Sequence, residues 1–223
     1  MAFSTRQDDK KTIYFLRHGL VDHKTDEEGV HRDHDPMLNH EGIKQAEQAR
    51  VQLRDAKLPI EIIFCSPLRR AIETMQIAFQ DYIFEDHLPV KILPTLQDCG
   101  DWECNVGSPV PELEQQFPRF DFSACYEDKV YPRKEGIHKA DFETSVKKTE
   151  QLAEYFARIP QKSFAVVTHG VCIRLFCGFQ KPGEMLNATP KDENSFSAGQ
   201  HGGYTFHYYS DKTWRFTPLE EKK

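Results

Sequence analysis

A chain of 223 residues that is 39% hydrophobic and 29% charged, with a formal net charge of -6 at pH 7, can build one sizeable α/β core. It lacks the basic surplus of a nucleic-acid binder, so no nucleic-acid partner is expected. It has no apolar run near the roughly 20 residues that cross a bilayer, and its first eleven residues are polar, so the expectation is no membrane and a cytoplasmic, or also nuclear, location.

The first apolar run, Ile13-Tyr14-Phe15-Leu16, stops at Arg17-His18-Gly19 and reads as a buried strand that delivers an arginine and a histidine to a sheet rim. A polar, acidic loop over 22–40 follows. Its His31, Arg32, Asp33, His34 and Asp35 are read as a covering of the rim in preference to a metal site. The spacing of Ile43, Ala46, Ala49 and Leu53 predicts a helix over 41–57, with Asn39 as its N-cap. Pro59 stops that helix, and 60–65 reads as a second strand. Ser66-Pro67 then opens a helix over 68–79. Arg69 and Arg70 fall in its first turn, where the macrodipole disfavours cations, so an anion is needed to explain them. Arg69 is assigned to that anion and Arg70 to solvent. The four residues between Cys65 and Arg70 are one too few for a cysteine phosphatase loop.

A short strand at 90–93 leads into the acidic stretch from Leu96 through Asp98 and Asp101 to Glu103. Residues 107–137 carry several prolines and little periodicity, which predicts one short helix near 112–117 within an irregular, lid-like excursion. A helix over 142–156, a strand ending in Thr168-His169-Gly170, a helix over 171–179 and late strands at 204–209 and 214–218 complete the pattern. Strands alternating with helices predict a three-layer α/β/α sandwich on a mainly parallel sheet, as one domain over 1–223 with a flexible 1–10. The six cysteines include no C-x-x-C pair and read as reduced thiols.

Arg17, His18, Arg69 and His169 all sit at strand ends or at the start of the next helix. Guanidinium forks and helix N-terminal N–H groups suit the oxygens of a phosphomonoester. A neutral His18 with one ring nitrogen on a backbone carbonyl of the Gly19 turn would offer the other nitrogen as a nucleophile, and nearby arginines disfavour its protonation. The leaving oxygen needs a general acid, for which Asp98 is the candidate, with Glu103 and Asp101 behind it.

Leu16-Arg17-His18-Gly19, the run Ser66-Pro67-Leu68-Arg69-Arg70-Ala71-Ile72-Glu73-Thr74, and Val167-Thr168-His169-Gly170, in this order and spacing, resemble the first branch of the histidine phosphatase superfamily, with its phosphoglycerate mutase-like fold. Asp35-Pro36-Met37-Leu38-Asn39, with Gly42 and Gln45-Ala46, is similar to the family's segment before its first long helix, so the resemblance spans nearly the whole domain. It implies a phosphohistidine at His18 and a phosphate pocket of Arg17, Arg69 and His169. The implied acid is the third residue of a Leu-x-Glu motif, which reads Leu96-Gln97-Asp98 here, one methylene shorter, with Glu103 as the substitute donor near the substrate. Lys24 replaces an asparagine common in the family and is a candidate contact to an anionic substrate. Neither the Glu-Arg-His-Tyr-Gly segment nor the insertion of the cofactor-dependent mutases is present. That favours a phosphatase over a phosphomutase, the other alternative being a weak or inactive phosphate-binding module. Residues 96–107 are similar to fungal phosphomutase-like proteins. No metal or cofactor is implied. The expected partner is a small phosphorylated substrate, selected by residues 22–40, 107–137 and 194–197.

Overall fold

The computed structural model describes residues 10–22, 27, 32–179, 182 and 197–219. In chain order these form β1 (Lys11–Arg17), α1 (His40–Ala56), β2 (Ile63–Cys65), α2 (Arg69–Ala78), α3 (Gln80–Phe84), β3 (Val90–Ile92), α4 (Val110–Gln116), α5 (Ser123–Glu127), α6 (Phe142–Arg158), β4 (Ser163–Thr168), α7 (Gly170–Phe176), β5 (His201–Tyr208) and β6 (Trp214–Pro218). The strands make one sheet in the order β3-β2-β4-β1-β5-β6. Neighbours from β3 to β1 run parallel, while β5 lies antiparallel to β1 and β6 antiparallel to β5. The expected mainly parallel α/β sheet is therefore observed, closed on one side by a hairpin.

Alternation along the central strands sorts the core into two layers. Leu16, Cys65, Ala165 and Val167 pack with Ala49, Leu53, Ala71 and Met75 of α1 and α2. Ile13, Phe15, Phe64, Phe164 and Val166 face the other way, onto Leu152, Phe156, Ile173 and Phe176 of α6 and α7. Every residue of β4 is buried, as expected for a parallel strand covered on both faces.

Residues 107–137 depart from an irregular excursion. Besides α4 they form α5, and Val110, Leu113, Phe117, Phe122, Cys125 and Tyr131 join the core on the α2 side. Their apolar side chains, spaced without a clear period, are buried in the same layer as those of α1 and α2. Strand β2 is shorter than the apolar run 60–65, although Glu61 N and Ile62 O still bond β4 singly.

Parallel register sets the rim. Arg17 pairs with Thr168, and His18 N donates to Thr168 O (3.1 Å), so His18 and His169 emerge side by side. Ser66 N donates to Val167 O (2.9 Å), bringing the end of β2 to the same level. The turn after β1 is pinned to α1 at close range. Asn39 caps α1 through Gly42 N (2.8 Å), and Asn39 N donates to Leu20 O (3.0 Å). A β-carbon on Gly42 would stand 2.1 Å from Leu20 O, and one on Gly19 would stand 2.5 Å from Gly42 O.

Gly42→Ala should therefore destabilise the fold even though alanine is the better helix former by about 1 kcal/mol. Backbone overpacking costs about 1–3 kcal/mol. Urea titration should show a lower midpoint, and an unchanged or higher midpoint would mean that the two backbones are not in contact.

Candidate active site

The ends of β1, β2 and β4 and the start of α2 converge on two buried imidazoles whose ring centroids lie 5.0 Å apart. His18 Nδ1 is 2.7 Å from Gly19 O, and Arg70 Nε is 3.2 Å from His18 Nε2. A carbonyl can only accept and a guanidinium can only donate, so His18 carries its proton on Nδ1 and its lone pair on Nε2. The same logic fixes His169. Its Nδ1 faces Arg70 Nη2 (3.3 Å), and its Nε2–H points at Ser66 Oγ (2.8 Å).

Burial, with the charges of Arg70, His169 and Arg17, holds His18 well below the usual histidine range, against the opposing Gly19 carbonyl. His169 is lowered in the same way by burial and then by Arg70, Lys134, Lys148 and Arg17. Both imidazoles are neutral at pH 7. Arg17, half-buried at the end of β1, is pulled below its ordinary value by burial, while the Asp98 carboxylate opposes this and Arg70 adds to it. Arg17 thus belongs to the same electrostatic cluster.

Arg70 is the correction to the sequence reading. It is 2% exposed, not solvated, and its guanidinium reaches both imidazoles and the Asp98 carboxylate. Nε donates to His18, Nη1 to Cys104 O, and Nη2 to Asp98 Oδ2 (3.1 Å), Asn105 Oδ1 (3.1 Å) and His169 Nδ1. Arg69, assigned to the phosphate pocket from sequence, is turned the other way. Its Nε donates to Asp35 O (2.6 Å) and its Nη2 to His34 O (3.0 Å). The anion that explains a cation in this first turn is the chain's own Asp35, whose Oδ1 accepts from Arg69 N (3.0 Å) and so caps α2 from a distant loop. Asp35 is fully buried, and burial pushes its carboxyl up. The charge of Arg70, and Ser108 donating through both N (2.9 Å) and Oγ (2.8 Å), pull it back.

Asp98 lies in the cluster, with Oδ1 accepting from Cys99 N (2.8 Å) and Oδ2 also 3.5 Å from His169 Nδ1. Glu103 and Asp101 are exposed on the following turn, and none of the hydrogen bonds of His18, His169 or Arg70 given above reaches them. Lys24, His31 and residues 194–196 lie outside the described residues. Sequence reasoning missed Asn105, Ser66 and Thr74 as well as Arg70. Thr74 Oγ1 accepts from Gly19 N (3.0 Å) and donates to Arg70 O (2.7 Å), tying the nucleophile's turn to the helix that carries the arginine.

His18, Asp98 and His169 offer ligand atoms within 4.8 Å of one another, a spacing that could hold a metal ion. The Arg70 guanidinium bonds those same three side chains. A cation there would face a buried positive charge, so the set suits an anion instead.

The sequence model of the histidine phosphatase superfamily (branch 1) matches residues 13–216. A probable phosphatase of Schizosaccharomyces pombe is 59% identical over 210 residues, covering 94% of this chain and 97% of that protein. Among solved structures, the ecdysone phosphate phosphatase of Bombyx mori in complex with tungstate aligns with a TM-score of 0.57 at 16% identity, over 94% of this chain and 92% of that one. Mycobacterial glucosyl-3-phosphoglycerate phosphatase aligns at 0.55 and 19%, over 94% and 97%. At such identities the likeness is one of fold.

Two imidazoles held neutral by burial bind fewer protons folded than unfolded below about pH 6.5. Their contribution to stability is intact above that pH and is lost as pH falls through it, by up to about 1.4 kcal/mol per pH unit for each group. In His18→Asn the slope of unfolding free energy between about pH 6 and pH 5 should shrink by that amount. Equal slopes in the two proteins would place a proton on His18 in the native state.

Proposed function

The chain belongs to branch 1 of the histidine phosphatase superfamily and is a phosphatase, and on that premise we propose that it hydrolyses small phosphomonoesters through a phosphohistidine on His18, without a metal ion. The observation that carries this reading is the forced tautomer of His18, which leaves the Nε2 lone pair inside the cluster of cations. That is the form a nitrogen nucleophile must have.

In the first step His18 Nε2 bonds to phosphorus as the ester oxygen leaves. Arg17 and Arg70 neutralise the phosphoryl oxygens. Asp98, which takes up a proton from solvent as the phosphate displaces its carboxylate from Arg70, hands that proton to the departing oxygen. A phosphate dianion competes with the Asp98 carboxylate for Arg70 Nη2, so substrate binding loosens the bond that ties the carboxyl to the arginine. In the second step the Asp98 carboxylate takes a proton from water, whose oxygen attacks phosphorus and releases His18 in its starting tautomer. Independence from metal is supported by Arg70, which supplies positive charge at the atoms a metal would use.

Purified protein should hydrolyse an aryl phosphate equally with and without chelator, and His18→Ala should abolish this. Denaturation with alkali during turnover should trap a phosphoprotein that acid destroys. Phosphate label surviving acid would mean that another side chain is the nucleophile.

Asp98→Asn should cost about 100-fold or more on an alkyl phosphate and under about 10-fold on an aryl one, whose leaving group needs no proton. Arg70→Ala should lower kcat/KM by about 100- to 1000-fold, the scale of losing a transition-state donor. Arg69→Ala should leave kcat within about threefold of wild type, because its side chain serves the Asp35 loop. The reverse order of the two arginines would show that Arg69 swings into the site.

A further inference from the structure

Directly behind Asp98, Cys99 Sγ lies 3.6 Å from Cys172 Sγ. The two thiols come from separate elements. Cys99 follows the carboxylate and donates its own N–H to Asp98 Oδ1, while Cys172 is the third residue of α7, the helix capped by His169. We propose that Cys99 and Cys172 are an oxidisable dithiol, closed to a disulfide by a hydroperoxide, and that closure draws Asp98 out of position and turns hydrolysis down.

Cys99 is placed to react first. Its thiol is lowered by the S–H of Cys172 and then, against burial, by Lys148 and Lys134, with the Asp98 carboxylate opposing, while Cys172 is raised as the pair's proton holder. The charge of Lys148 acts on Cys99 while its Nζ donates to Gln97 O (3.1 Å), and Lys134 Nζ donates to Asp98 O (2.6 Å). Burial pushes the other thiols upward: Cys104 to about 11, and Cys125 and Cys177 to about 12. Cys99 and Cys172 are 1% and 4% exposed, which restricts the oxidant to a molecule about the size of water, such as hydrogen peroxide.

The chemistry balances. The Cys99 thiolate attacks one peroxide oxygen, the O–O bond breaks, and hydroxide leaves to take up a proton as water, giving a sulfenic acid. Cys172 attacks that sulfur and a second water departs. Two thiols lose two electrons and two protons, and one peroxide becomes two waters.

A disulfide needs about 2.05 Å between sulfurs, so some 1.5 Å of movement falls on the 97–99 strap and on the first turn of α7. The strap has little freedom to absorb it. Gln97 O is held by Lys148, Asp98 O by Lys134, and the Asp98 carboxylate by Cys99 N and Arg70. The effect on turnover rests on the role proposed above for Asp98, whereas the cross-link does not.

Reduced protein is treated with hydrogen peroxide, free thiols are alkylated, and peptides are mapped without reductant. The expected result is a Cys99–Cys172 linked peptide, with alkyl phosphate hydrolysis down about 100-fold, aryl phosphate hydrolysis much less affected, and both restored by dithiothreitol. Cys172→Ser, with Cys99→Ala as a second variant should serine perturb the core, should form no link and keep its activity through the same treatment. Unlinked or sulfinic Cys99 and Cys172 after peroxide, or a mapped link with unchanged alkyl phosphate turnover, would overturn the proposal. Reduced protein that hydrolyses neither ester would instead count against the proposed function, and the mapped bond, read without substrate, would still decide whether these thiols pair.

Discussion

One buried guanidinium organises this molecule. Arg70 places a permanent positive charge in the protein interior, a cost that only a full set of acceptors offsets. The acceptors come from three separate stretches of chain: His18 at the end of β1, Asp98, Cys104 and Asn105 in the 98–105 turn, and His169 at the start of α7. Bringing them together is therefore a condition of burying Arg70, and the functional geometry follows from it. The same contacts that satisfy the arginine orient the lone pairs of His18 and His169 and hold both imidazoles neutral.

A second charge cluster lies beside the first and keeps it in place. Asp35 caps α2, which has no side-chain cap of its own, and receives two bonds from Ser108. Tyr131 O–H in turn donates to Ser108 O (2.9 Å), fixing within the 107–137 region the residue that bonds Asp35 in the loop before α1. Arg69 finishes that loop from outside. The adjacent arginines of one helical turn thus divide between two anions, both supplied by the protein.

The fold and most of the cluster are legible from the sequence because strands that end abruptly in Arg-His-Gly and His-Gly have few other uses. The N-cap at Asn39 and the helices over 41–57 and 142–156 follow from periodicity alone. Choosing between Arg69 and Arg70 needed the helix face. Arg70, Ala71, Thr74, Met75 and Ala78 share the buried side of α2, and that spacing was available in the sequence. What it does not display is a distant cap such as Asp35, since nothing local marks a carboxylate that serves a helix 34 residues away. The packing of Phe117, Phe122 and Tyr131 was hidden for a related reason, because aperiodic aromatic residues fit a core only once neighbouring helices define the holes.

The pairing of β1 with β4 has a further consequence. Because His18 and His169 are separated by a strand spacing and not by a loop, their distance is set by backbone hydrogen bonding, which keeps neighbouring strands at a nearly constant spacing. The separation of the two imidazoles is thus a property of the sheet itself. The rim works as a fixed socket, and the segments packed beside it, with Ser108 on Asp35 and Asp35 on α2, brace the helix that brings Arg70 to it.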